Sequence, residues 1–161
     1  MKKILSIKEA IEVSRKLKKQ NATIVLVGGF FDILHLGHIE FLEKSKKYAD
    51  HLFVFLEEDN KAMKEKGKER PINSQKIRAK ILSTLRYVDY IIMLKNMTNN
   101  RRYDKIILEI KPNVISVTYG DPFIKHKQRQ AKLINAKVVY ATERINSYST
   151  TNYLKLIDKT K

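Results

Sequence analysis

Short apolar runs rich in β-branched residues alternate along this chain with segments of helical spacing, and that alternation constrains the fold more than any other feature. Thr23 to Val27 reads as a buried strand running into Gly28-Gly29, and Leu52–Leu56, Tyr90–Leu94, Val114–Val117 and Lys137–Tyr140 read as four more. Ser6-Ile7-Lys8-Glu9 has the form of a capping box at the head of a helix over 6–19. Further helices are predicted over 37–48, from Asn73 or Ser74 with Ile77, Ile81, Leu82 and Leu85, over 102–110, and from Ser149 or Thr150. A charged loop is expected from Glu57 to Pro71. Strands separated by helices need right-handed crossovers, hence a parallel sheet covered on both faces. The expectation is an α/β chain with a five-stranded parallel sheet, its 161 residues forming one domain over 1–161 around one core.

Composition narrows the chemistry. With no cysteine there is no disulfide framework, cysteine-held zinc, iron–sulfur cluster or thiol nucleophile. No apolar run approaches the roughly 20 residues that span a bilayer, so a soluble, cytoplasmic protein without membrane insertion is expected. The balance of 33 Lys+Arg against 17 Asp+Glu, a net charge of +16, points to an anionic partner or to nothing more than a solvated basic surface. A nucleic-acid-binding module is the reading from a different class, but no aromatic-rich recognition strand or basic helix run accompanies the charge.

In a parallel sheet, ligands collect beyond the carboxyl ends of the strands, which selects residues 28–38, 57–71, 118–122 and 142–150. The first of these, Gly28-Gly29-Phe30-Phe31-Asp32-Ile33-Leu34-His35-Leu36-Gly37-His38, joins a strand to a helix and is the most informative. His35 and His38 bracket Gly37 at a helix start, where free N–H groups and the dipole favour an anion and a phosphate can approach the glycine backbone. Two other readings stand beside that one: a metal shared by histidines three apart, and two histidines hydrogen-bonded in a turn.

The run from Gly29-Phe30-Phe31-Asp32 through His35-Leu36-Gly37-His38 resembles the HxGH signature of the nucleotidyltransferase superfamily that includes the cytidylyltransferases. Arg70-Pro71-Ile72-Asn73 and the N-terminal stretch from Lys3 are similar to features of heptose-phosphate adenylyltransferases. Leu85-Arg86-Tyr87-Val88-Asp89 resembles the cytidylyltransferases, and the tail from Arg144 to Thr151 is similar to that of glycerol-3-phosphate cytidylyltransferase. The chain differs from the heptose type in carrying Thr118-Tyr119 where a lysine-glycine pair usually precedes the glycine-aspartate.

The resemblance implies a Rossmann-like fold and a reaction in which a phosphorylated acceptor attacks the α-phosphorus of a nucleoside triphosphate and releases pyrophosphate. ATP with a sugar phosphate such as a heptose 1-phosphate is the leading pair. CTP with glycerol 3-phosphate or another polyol phosphate, and adenylyl transfer to flavin mononucleotide, are the alternatives. On this reading His35, His38 and Arg144 are catalytic. Gly29, Phe30, Phe31, Asp32, Gly37, Arg86, Gly120, Asp121, Ser149 and Thr150 bind nucleotide, and Lys66, Lys68 and Arg78 meet phosphate or substrate. Arg78 and Arg86 could equally be surface residues in ion pairs, Asp121 a turn residue and Ser149 or Thr150 a helix cap. Mg²⁺ is expected, held mainly through phosphates with Asp32 or Asp121 as protein oxygens. A homodimer is also implied.

Overall fold

A computed structural model describes residues 2–95 and 97–143. Their elements are β1 (Ile4–Leu5), α1 (Ile7–Lys19), β2 (Ile24–Gly29), α2 (Leu36–Lys46), β3 (His51–Leu56), α3 (Asp59–Lys66) and α4 (Gln75–Ser83). After these come β4 (Tyr90–Met93), α5 (Asn100–Ile110), β5 (Val114–Thr118), α6 (Ile124–Ile134) and β6 (Lys137–Thr142). The strands form one parallel sheet in the order β1-β4-β3-β2-β5-β6. This is the α/β architecture read from the sequence, with six strands rather than five.

The added strand is β1, two residues pairing Ile4 with Ile91 and Leu5 with Ile92. The capping box at the head of α1 is present, Glu9 N–H donating to Ser6 Oγ at 3.3 Å and Ser6 N–H to Glu9 Oε2 at 2.8 Å. It turns the chain directly from β1 into the helix.

Strand alternation sorts the core onto two faces. Ile24, Leu26, Phe53, Phe55 and Ile92 pack with Leu17 of α1 and Ile106, Ile107 and Ile110 of α5. Val25, Val27, Leu52, Val54, Leu56 and Ile91 pack on the other side with Phe41 and Leu42 of α2 and Ala79 and Leu82 of α4. A smaller cluster of Ile115, Val117 and Ala131 seats α6. None of the helices described is long and apolar enough to cross a membrane.

Two expectations need correction. The segment 57–71 is not all loop, because α3 occupies Asp59–Lys66; only its Ala62 is buried, so it carries no apolar period to betray it. In α4 the inward face is not Ile77 and Ile81, which are 50% and 37% exposed. Gln75, Arg78, Ala79 and Leu82 face inward. Gln75 Nε2 donates to the carbonyls of Leu56 and Leu94, each at 2.9 Å, so a polar side chain closes two strand ends. The helix expected from Ser149 or Thr150 lies outside the described residues.

Candidate active site

The strand order reverses at β2: the chain leaves it for β3 on one side and later returns to place β5 on the other. Ligands of open α/β sheets bind in the crevice above the strand ends at such a reversal. The loop from β2 to α2 and the loop from β5 to α6 leave neighbouring strands at this end of the sheet; the first ends at His35, and His38 follows in the first turn of α2.

His35 is the N-cap residue of α2, with extended backbone and no side-chain cap. Gly37 and His38 follow in the first turn. The two imidazoles stack, their centroids 3.7 Å apart and their planes 25° apart. Phe31 packs against His38 at 5.2 Å. Burial pushes His38 down to about 3, the adjacent His35 pushes the same way, and a hydrogen bond with the Ile33 backbone opposes them. Burial also lowers His35. Both rings are therefore neutral near pH 7, and among the described residues the buried Nδ1 of His38 has no hydrogen-bond partner. A pair of neutral imidazoles at a helix N-terminus can donate to an anion; two imidazolium rings at this spacing would repel unless an anion compensated them.

Phe31 holds the turn before them in the left-handed region, φ 48°, with its side chain buried. That conformation is strained for a bulky residue. Gly29 makes room for the Phe31 ring: a Cβ at position 29 would lie 2.9 Å from its Cε2. Phe30 lies beside Lys61, whose Nζ is 5.9 Å from the ring centroid.

Asp32 is only 3% exposed and its carboxylate is fully occupied. Oδ2 accepts from Arg70 Nε at 2.7 Å and from Ile72 N–H at 3.0 Å, and Oδ1 from Asn73 N–H at 2.9 Å. Burial works to raise this carboxyl, but those bonds outweigh it and hold Asp32 below the usual carboxylate range. The resemblance gave it a nucleotide or Mg²⁺ role; its oxygens instead tie the histidine loop to the 70–73 segment. Asp121 is occupied as well, Oδ1 accepting from Phe123 N–H at 2.7 Å and Oδ2 from Lys127 at 2.6 Å, in the turn where Gly120 takes φ 74°. Among the described residues no group of three metal-ligating side chains forms. Neither carboxylate fits the role of an open Mg²⁺ ligand.

Arg78 is not a surface residue, and its guanidinium is bonded to protein acceptors. It is wholly buried, donating through Nε to Asn73 O at 3.0 Å and through Nη2 to Glu57 O at 2.9 Å and Asp59 Oδ1 at 2.7 Å, while Nη1 donates to Phe30 O. Its guanidinium thus pins together the loops after β2 and β3 and the entry to α4. Arg86 is exposed and precedes β4, at the amino ends of the strands, with its guanidinium 4.7 Å over Tyr87. The fold places it at the opposite end of the sheet from the histidines. Lys66 and Lys68 are exposed around Gly67. Arg144, Ser149 and Thr150 lie outside the described residues.

Side chains not singled out from the sequence also converge here. Glu57, at the end of β3, accepts from Lys61 at 2.9 Å and from Tyr103 OH at 2.8 Å, and burial together with Glu57 drives Tyr103 upward. Their spacing of four and 46 residues carries no local signal. Tyr119 and Tyr140 stack across the ends of β5 and β6.

Comparison with known proteins matches residues 26–156 to the family model described as cytidylyltransferase-like. The chain is 37% identical to the bifunctional protein HldE of Aliarcobacter butzleri over 97% of its own length, and 35% identical to that of Helicobacter hepaticus over 99%. It spans 31% of each of those relatives. Among solved structures, a lipopolysaccharide core biosynthesis protein from Thermoplasma volcanium is 31% identical, with a TM-score of 0.64 over 76% of this chain and 98% of that one. Pantoate-beta-alanine ligase from Francisella tularensis shares the fold at 18% identity, with a TM-score of 0.66 over 99% of this chain and 77% of that one.

Proposed function

Given that the chain belongs to the cytidylyltransferase-like family, we propose that it transfers a nucleoside monophosphate from a nucleoside triphosphate, ATP in the leading case, to a phosphorylated sugar such as a heptose 1-phosphate, releasing pyrophosphate. The observation that carries the proposal is the stacked pair His35 and His38 at the N-terminus of α2, beside the reversal of strand order. The identity to the HldE proteins and to a lipopolysaccharide core biosynthesis protein supports a sugar phosphate as acceptor.

The reaction needs no protein nucleophile. An acceptor phosphate oxygen forms a bond to the α-phosphorus, the bond from that phosphorus to the α–β bridging oxygen breaks, and its electron pair leaves with pyrophosphate. What the protein must supply is alignment and donors for the oxygens that gain charge. His35, neutral in the free site, can donate its N–H to the α-phosphate; His38, whose ring is already hydrogen-bonded with the Ile33 backbone, can donate to the bridging oxygen once the triphosphate charge has protonated it and the ring has turned toward the ligand. The start of α2 adds backbone donors and the favourable end of the helix dipole. Asp32 and Arg78 hold the loop that presents the rings. A divalent ion accompanying the triphosphate would arrive with it, and no step here runs through a protein-held metal.

The direct test is pyrophosphate release across four nucleoside triphosphates and a few acceptors, including a heptose 1-phosphate and glycerol 3-phosphate. The expected pattern is turnover with ATP and the sugar phosphate. Turnover with CTP and glycerol 3-phosphate alone would replace the substrates and keep the chemistry. No turnover with any pair would remove the proposal.

A further inference from the structure

Two tyrosines at the carboxyl ends of β5 and β6 stand largely outside the packing. Tyr119 is 55% exposed and Tyr140 38%, and their rings stack with centroids 4.5 Å and planes 21° apart. Phe123, at the entry to α6, is 48% exposed beside them in sequence. Ile115 and Val117 face α6, while Ser116 faces α2 through its bond to Ser45. Tyr119 lies one residue past β5, and its stack on Tyr140 sets it on the same side. Tyr140 shares its face with Val138 of the same cluster. Among the described residues, none of the core clusters includes either tyrosine. Apolar ring area left in water, next to a crevice, marks a place where something flat can be covered.

The position fits one part of a nucleotide. β5 is the neighbour of β2 and β6 the next strand out, at about 4.8 Å per strand. The tyrosines therefore stand roughly one to two strand spacings along the sheet edge from the end of β2. A ribose must bridge a gap of this order when the α-phosphate sits at the histidines and the base lies over β5 and β6. We propose that Tyr119, backed by Tyr140, is the stacking platform for the base and biases the site toward a purine. The inference rests on the nucleotidyltransferase reading and deepens it. Stacking on a tyrosine face reads ring area rather than hydrogen-bond pattern, so the larger purine gains more than a pyrimidine.

The experiment is calorimetric titration of the full chain with ATP, CTP and inorganic tripolyphosphate. It compares the wild type with Tyr119→Ala, Tyr119→Phe and His38→Ala, each checked for folding by circular dichroism. Tyr119→Ala should weaken ATP about tenfold and leave tripolyphosphate as in the wild type. Tyr119→Phe, which keeps the ring, should match the wild type, and His38→Ala should weaken all three ligands. Unchanged ATP affinity in Tyr119→Ala overturns the platform alone, as does an equal loss for ATP and tripolyphosphate. CTP bound by the wild type as tightly as ATP overturns the purine bias. A wild type that binds neither ATP nor tripolyphosphate overturns the phosphate site, and the platform falls with it.

Discussion

Asp32 accepts Arg70 Nε at 2.7 Å from a position with 2% of its side chain exposed, so a buried ion pair joins the histidine loop to a segment 38 residues away. Breaking such a pair from one side strands the other charge and costs about 3–5 kcal/mol. Asp32→Asn keeps the shape, yet its amide can serve only part of a set of donors from Arg70, Ile72 and Asn73. The expected outcome is a fall of about 2–4 kcal/mol in urea-unfolding free energy at pH 7, with kcat reduced because the loop carrying His35 and His38 loses its anchor.

Arg78 should not tolerate lysine. One ammonium cannot reach four acceptors distributed over Phe30, Glu57, Asp59 and Asn73, whereas the planar guanidinium does. Arg78→Lys is expected to cost about 2–4 kcal/mol, measured by thermal or urea unfolding. It should also raise KM, because three loops around the crevice lose their common tie. Wild-type stability and kinetics in this variant would contradict the clamp.

The turn before the histidines is filled to its limit by the Phe31 ring. Gly29→Ala places a methyl 2.9 Å from Phe31 Cε2, so the ring must move while its own backbone is held at φ 48°. Overpacking of this kind costs about 1–3 kcal/mol, and the displaced ring is the one that packs on His38. Loss of activity exceeding the loss of stability is the expected result, checked by comparing kcat/KM with the unfolding midpoint.

Stability should fall as the solution is acidified through the histidine range. The folded value for His38 is held down to about 3, below the roughly 6.5 of an unfolded chain. The unfolded state therefore binds more protons between those values. The contribution is complete above about 6.5 and is lost as pH falls toward 3, at no more than about 1.4 kcal/mol per pH unit for one group. His35 is lowered in the same direction. Between about pH 6.5 and 5 the carboxylates have yet to titrate in the unfolded chain, which isolates the histidines. Urea unfolding across that window should show the slope in the wild type and a smaller one in His38→Gln.

The five strands read from the sequence are present because β-branched and aromatic runs bury both faces of a parallel sheet and leave a continuous apolar signature. β1 escaped notice because two residues carry no period, and its partner Ile91-Ile92 lies far along the chain. α6 went unread because its inward positions are few, with Ile124 and Ala131 facing the sheet while lysines, Gln128 and Arg129 fill most of the rest. In α4 the apolar pattern misled, since Ile77 and Ile81 look outward and Gln75 and Arg78 look in. Polar groups there hydrogen-bond strand ends and loop carbonyls, a local breach of hydrophobic patterning of the kind expected beside a functional crevice. The histidine turn was legible because it is local in sequence. The Asp32, Glu57 and Tyr119 neighbourhoods were not, because each depends on partners that only the fold brings together.

The most direct measurement for the central claim is steady-state pyrophosphate release from ATP and a heptose 1-phosphate by the wild type, His35→Ala and His38→Ala, with folding verified in each. The stacked imidazoles at the head of α2 call for a drop of about 10²–10³ in kcat for either variant, as for loss of one preorganised donor. Folded variants that release pyrophosphate at the wild-type rate would contradict it.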